Sequence, residues 1–295
     1  SSRVYAEFSC SVVFNVLWEG GFMKKLEEMN LMDDFLVGSL LSHKKYGERA
    51  VRYILECILN RPLGKFVVVP QRFISADSPD VHGIRMDMYI DDDEGEIFDI
   101  EPDQNDGRME IKAIPRRTRF YHAKIDSANL ASGEDYSCLR NVVVIFITTY
   151  DPFGLDRMVY TVKNRCVEEP DMPYEDGART LYLYTRGTKG SPTKELKSLL
   201  CYMEKSTEEN ATSDSLKELH RIVTDIKKDG EVGLAYMKSV EIEKRIREEG
   251  REEGRSLIVK AFKCAKENAY TTVSQLIEAG YDEDTAAAAI DMLNA

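Results

Sequence analysis

IRMDMYIDDDEGEIFDIEPDQ, from Ile84 to Gln104, decides how the chain is read. Met86, Met88 and Ile90 alternate with other residues, a DDEG turn follows, and Glu96 to Glu101 returns as a second run. Period-two alternation broken by a glycine-containing turn is the pattern of a β-hairpin, here with an acidic tip. Its carboxylates are denser than a half-buried strand pair needs. Asp91, Asp92, Asp93 and Glu94 surround the turn, where acids keep the tip wet and Asp tolerates turn geometry. Asp87 falls on the first strand and Glu101 on the second, which Pro102 is expected to close because proline donates no ladder hydrogen bond. Two carboxylates on adjacent strands can share a divalent cation. Magnesium prefers hard oxygen ligands and needs only one or two carboxylates besides waters and a phosphate oxygen. Such an ion activates water and neutralises charge on a scissile phosphate, so the pair points to phosphodiester hydrolysis.

Outward from the hairpin, the elements alternate in type. MDDFLVGSLLSHKKYGERAVRYILECILN, from Met32 to Asn60, has helical spacing and predicts one or two helices capped at Asp33 or Asp34. GKFVVVPQRF predicts a short buried strand ending at Pro70. After the hairpin, Pro115 suits a first helical turn, and a helix is expected to run until Gly133, with Tyr121, Ile125 and Ala128 as its core stripe. NVVVIFITTY is a near-continuous apolar run, the mark of a central strand covered on both faces, and DRMVYTVKN and RTLYLYT read as further strands. This order predicts an α/β fold with a mixed sheet flanked by helices. Beyond Gly190 the chain turns helical. A charged segment from Glu231 past Arg255 carries the repeat REEGREEGR and a stripe of Ile242, Ile246, Gly250, Gly254 and Ile258, which offers a homo-oligomer contact as one reading and a solvated helix as the other. Two short helices are expected at the end, separated by Gly280.

With 295 residues, 43% apolar and 31% charged, the chain can bury a sizeable core. Its six cysteines lie far apart without C-x-x-C pairs and read as reduced, mostly core thiols. The apolar run near the beginning lacks a basic flank and membrane length, so no membrane association and a cytoplasmic location are expected. Met23 is a second candidate for the natural start. A net charge of -12 argues against bulk attraction to nucleic acid, so any DNA contact must be local. KAIPRRTRFYHAK offers one, with Lys112, Arg116, Arg117, Arg119 and Lys124 directly after the acidic stretch. Phosphate-binding glycine loops, G-x-S-x-G and H-E-x-x-H are absent from the sequence, which removes the common P-loop ATPases, α/β-hydrolases and zinc proteases.

Five blocks together carry a family resemblance: MDDFLVGSLLS (32–42), RYILECILN (52–60), the hairpin (84–104), RRTRFYHAKIDSANLASGEDY (116–136) and VVVIFITTYDPFG (142–154). In this order they resemble the PD-(D/E)XK nuclease family transposases, also called the recombination-promoting nuclease (Rpn) family, over residues 32–190. The resemblance implies a restriction-endonuclease-like core, a DNA substrate, magnesium or manganese as cofactor, and a link to mobile elements or recombination. It makes Asp87 the first metal-binding aspartate and Glu101 the acid of the E-x-K or E-x-Q element, with Glu56 matching a helical acid that some members add to the metal shell. Arg119 and Tyr121 match the R-x-R-[YF]-Y block, where a base approaches the phosphate or the carboxylates. Lys112, Arg116, Arg117 and Lys124 join them as candidate DNA contacts. The implied organisation is an N-terminal segment (1–31), a nuclease-like domain (32–190), a helical extension (191–230), and a charged helix with a helical pair (231–295).

One position departs from the pattern. Where the third residue of E-x-K or E-x-Q would be Lys or Gln, the chain has Asp103, and Gln104 is one place too late. Three explanations stand side by side: Asp103 joins the metal shell; Lys112, Arg119 or Lys124 supplies the lost group; or turnover is lost and the fold survives as a module that binds nucleic acid or a protein.

Overall fold

A computed structural model describes residues 24–74, 84–93, 95–104 and 111–294. Two compact units divide the chain, one reaching Leu234 and the other Ala235–Ala295. The first is built on a six-stranded mixed sheet in the order β1-β2-β3-β4-β6-β5, flanked by helices as the sequence pattern predicts.

The helical stretch after Met32 forms two helices, α1 (Asp34–Ser42) and α2 (Gly47–Leu59). On α2 the spacing of Ala50, Val51, Ile54, Leu55 and Ile58 puts every one of them in the core. Strand β1 (Phe66–Ile74) does not stop at Pro70, which pairs with Met88. It is an edge strand, and a proline is tolerated where one flank of the strand needs no donor. The hairpin forms as β2 (Ile84–Asp92) and β3 (Glu96–Asp103). Pro102 does not end β3 either: the antiparallel pairing to β2 runs to Ile100, while the parallel ladder continues through Pro102↔Ile147 to Asp103↔Thr148.

Helix α3 (Ile114–Asn129) follows, with Pro115 in its first turn. It ends before Gly133, and its buried positions are Ile114, Thr118, Tyr121 and Ile125, whereas Ala128 is exposed. β4 (Asn141–Thr148) is the central strand, buried from Val142 onward and parallel to both β3 and β6 (Ala178–Tyr184). The short β5 (Val159–Val162) closes the other edge. Alternation splits β3 between two faces. Ile97 packs beneath α3 with Val142, Val144 and Phe146, and Gln104, on the opposite parity, donates to the Met32 carbonyl at 2.7 Å, just ahead of α1.

Helices α4 (Lys194–Glu204) and α5 (Asp214–Lys228) are capped by the Thr193 and Ser213 hydroxyls. They belong to the first unit: Tyr46 donates to Asp225 at 2.9 Å, and Ser206 Oγ accepts from the Leu31 N–H at 3.0 Å. In the second unit the long α6 (Gly230–Asn268) ends against α7 (Val273–Glu278) and α8 (Glu283–Asn294), around a small core of Ala261, Ala265, Leu276, Ala286, Ala289 and Ile290. Along the α6 stripe Ile242 and Gly250 are exposed, and Ile246, Gly254 and Ile258 are half-buried. Among the described residues no helix is long and apolar enough to cross a membrane. The five described cysteines are free, but none is buried, which corrects the expectation of core thiols. On α4, for example, Leu196, Leu199, Leu200, Tyr202 and Met203 fill the inward face and leave Cys201 outside.

The hairpin tip is not merely solvated. Asp92 is 4% exposed, and its Oδ1 accepts from the Glu96 N–H at 2.7 Å. Arg140 pairs with the Asp91 carboxylate and donates to the carbonyls of Asp92 and Glu96. Replacing Arg140→Ala removes three contacts at once and leaves half-buried carbonyls without that donor. A loss of about 1–3 kcal/mol is expected, read as a lower urea midpoint with unchanged slope.

Candidate active site

Strand alternation sends Asp99, Glu101 and Asp103 to one face of β3, the face that α3 covers. Asp99 is fully buried, Glu101 is 2% exposed, and Asp103 lies at the rim. A buried carboxylate needs a charged or hydrogen-bonding partner. The first turns of α3 supply it. Arg117 Nη2 donates to Glu101 Oε2 at 3.0 Å, and Nη1 donates to Asp103 Oδ2 at 2.9 Å. The guanidinium also sits 5.3 Å from the Tyr121 ring centre and 5.1 Å from that of Phe146. One helical turn on, the Tyr121 hydroxyl accepts from Arg117 and donates to Glu101 Oε2, each at 3.2 Å. Tyr150, just past β4, donates to Asp103 Oδ2 at 3.3 Å.

The electrostatics fix the protonation of this frame. Burial works to lower the Arg117 pKa, but Tyr121, Glu101 and Asp103 outweigh it and leave the guanidinium raised, a permanent cation. Burial, helped by the charge of Glu101, pushes the Tyr121 phenol well above its ordinary range. Burial and Asp103 do the same for Tyr150. Both tyrosines are therefore neutral donors near pH 7. The cluster lies at the carboxyl ends of the parallel strands β3 and β4, where open α/β sheets commonly bind ligands.

The other residues singled out from sequence distribute differently. Asp87 lies on β2 and its side chain is outside the described residues; the pairs Tyr89↔Asp99 and Met88↔Ile100, continued by one step, set position 87 against Glu101. Glu56 accepts from the Leu63 N–H at 3.0 Å and lies 3.5 Å from Arg52. The chain just after α2 meets β3 at its opposite end, where Arg61 pairs with Glu96, so Glu101 is roughly 16 Å further along at the usual strand rise. Glu56 and Glu101 are not brought together. On α3, Arg116 and Arg119 are exposed, as is Lys112 just before it, and Lys124 stands 5.8 Å from the Phe120 ring centre. His122 bonds the Thr180 hydroxyl at 3.0 Å, and its imidazole is held below its ordinary value by burial. Gln104 faces α1 and cannot serve at the site. Sequence reasoning passed over Asp99, and it put Arg117 among the DNA contacts rather than on the carboxylates. The signals were present: Asp99, Glu101 and Asp103 are spaced by two in FDIEPD, and Arg117 precedes Tyr121 by four on a helix.

Residues 32–173 match the family model described as PD-(D/E)XK nuclease family transposase. No curated protein and no solved structure matches the chain. PD-(D/E)XK nucleases generally use divalent metals. Among the described residues, no group of three or more His, Cys, Asp and Glu side chains is placed to hold a metal unaided. The donors nevertheless fit a hard cation in kind. Two carboxylates converge on a single positive centre, and magnesium needs no more than two beside waters and phosphate oxygens. Thr148, in register with Asp103 and fully buried, has a hydroxyl with no hydrogen bond among the described residues, so a water or ligand atom would satisfy it.

Removing Arg117 takes away the described cation on buried Glu101 and on Asp103. Arg117→Ala is expected to cost about 2–3 kcal/mol, less than the roughly 3–5 of a fully buried pair, because water reaches one side of the guanidinium. Adding Glu101→Gln should recover part of that loss, and denaturant titration of the single and double variants measures both.

Proposed function

We propose, from the match of residues 32–173 to the PD-(D/E)XK nuclease family transposases, that the chain is a metal-dependent DNA endonuclease acting where β3 meets α3. The observation that carries the reading is the convergence of buried Glu101 and Asp103 at the carboxyl end of parallel strands, with Asp87 on the adjoining strand. In this reading Asp87 and Glu101 hold magnesium or manganese, and Asp103 holds Arg117 beside them. The bound ion would activate water and offset charge on the scissile phosphate.

The protein's own contribution is placement. Arg117 and Tyr121 fix the Glu101 carboxylate, and Tyr150 and Arg117 fix that of Asp103, so neither acid must be ordered when substrate arrives. Lys112, Arg116 and Arg119 give an exposed basic surface around the start of α3, in a chain whose net charge is -12. Phosphates are drawn there by a local field rather than by the whole molecule. A link to mobile elements follows from the family's description as transposases.

A second reading has an observation of its own. Arg117 already neutralises both acids, as a domain that binds nucleic acid without cutting it would tolerate. Plasmid cleavage in magnesium, manganese or EDTA separates the two. Metal-dependent cutting, reduced on the order of 100- to 1,000-fold by Glu101→Ala or Asp87→Ala, supports the endonuclease. Tight binding by folded wild-type protein without cutting in either metal supports the binding module.

The basic surface has a separate test in filter binding at graded salt. Arg116→Ala and Arg119→Ala should each weaken DNA binding evenly across sequences and flatten the log–log salt slope by about 1. An unchanged slope in both would remove these residues from the interface.

A further inference from the structure

We propose that Arg117 takes over, from helix α3, the positive charge that an E-x-K element would carry at position 103, and directs it at a phosphate oxygen of the substrate. This rests on the endonuclease reading above. A lysine two residues after Glu101 would share its strand face and lie beside it. Asp103 holds that place instead, and the guanidinium of Arg117 stands at hydrogen-bond distance from both residues. The cation has moved from strand to helix while its location beside Glu101 is kept.

Asp103 then has a role of its own. It accepts from Arg117 Nη1 and from the Tyr150 hydroxyl, so it anchors the relocated cation. Arg117 is also flanked by the rings of Tyr121 and Phe146, which restrict its plane. Its side chain is 32% exposed against 2% for Glu101, so an incoming phosphate can reach the arginine while the glutamate stays covered. The described contacts engage Nη1 and Nη2, and a guanidinium carries five N–H donors in a fork suited to phosphate oxygens. An arginine does not give up its proton, so its service is to stabilise developing negative charge and not to deprotonate water.

The test compares wild type, Arg117→Ala, Arg117→Lys and the double variant Asp103→Lys/Arg117→Ala in plasmid cleavage. Calorimetric manganese binding and melting temperature are read alongside. Arg117→Ala should cut about 100- to 1,000-fold more slowly, the usual effect of losing one donor to a transition-state oxyanion. It should bind manganese at least as tightly as wild type, because a competing cation has gone. The double variant, with its lysine restored to the strand, should regain cleavage to within about tenfold of wild type. If Arg117→Ala fails to fold, the double variant and Arg117→Lys carry the comparison, since each keeps a cation beside Glu101.

Cleavage by Arg117→Ala within about threefold of wild type overturns the assignment. So does a folded double variant no faster than Arg117→Ala, or slower than Arg117→Lys by the full loss seen without a cation. Manganese affinity falling in step with the rate would also overturn it, by showing that Arg117 serves only the metal ligands. Wild-type protein that cuts in neither metal instead refutes the endonuclease reading and takes this inference down with it.

Discussion

A carboxylate removed from water must be paired, and the burial of Glu101 imposes that condition on the whole first unit. On the same sheet face Ile97, Val142, Val144 and Phe146 are apolar and supply no such partner. The described partners descend from α3, which covers this face because the connection from β3 to the parallel β4 must cross the sheet. The i to i+4 spacing then brings Arg117 and Tyr121 to Glu101 together, while Ile114, Thr118 and Ile125 seat the helix. The same contacts that relieve the buried charge hold the helix that buries it.

The high acid density of the hairpin resolves into two clusters, each answered by arginine. At the tip, Arg140 engages Asp91 and the turn carbonyls, and Arg61 engages Glu96. At the far end of β3, Arg117 engages Glu101 and Asp103. The difference between them is exposure and chemistry. The tip contacts end in backbone carbonyls and a turn, as a staple should, whereas the far cluster joins side chains at the open end of parallel strands. The hairpin is thus held at its tip by contacts separate from those that join β3 to α3 at the far end.

Much of the fold was legible because its signals are local. The hairpin followed from period-two alternation and its turn, β4 from an unbroken apolar run, and α3 from Pro115 and helical spacing. The misreadings came from rules whose force depends on neighbours. Pro70 and Pro102 read as strand ends in the sequence, yet a missing N–H matters only on a flank that has a partner to bond. Cysteine burial failed for the same reason, since larger apolar residues hold the inward positions of α4. At the site, Asp103 was visible as a departure from a pattern, but the group that answers it was not. Arg117, Arg119 and Lys112 are equally basic in the sequence, and only the phase of α3 over β3 separates the one that turns inward from those that face solvent. Glu56 has two readings in the sequence, a metal-shell acid or a residue beside an apolar helix face, and its described partners are the Leu63 N–H and Arg52.

The protonation pattern limits how the site can respond to pH. Arg117 is held charged by the acids around it, and Tyr121 and Tyr150 are held neutral by burial and by those same acids. None of the three changes state around neutrality, so the hydrogen-bonded frame is constant there. His122, whose imidazole is lowered by burial, is bonded to Thr180 and not to the carboxylates. Near neutral pH, Arg117, Tyr121 and Tyr150 therefore act as hydrogen-bond donors and not as proton acceptors. Asp103 suits this arrangement because it accepts hydrogen bonds from both Arg117 and Tyr150, whereas a lysine at that position would be a second cation with donors only.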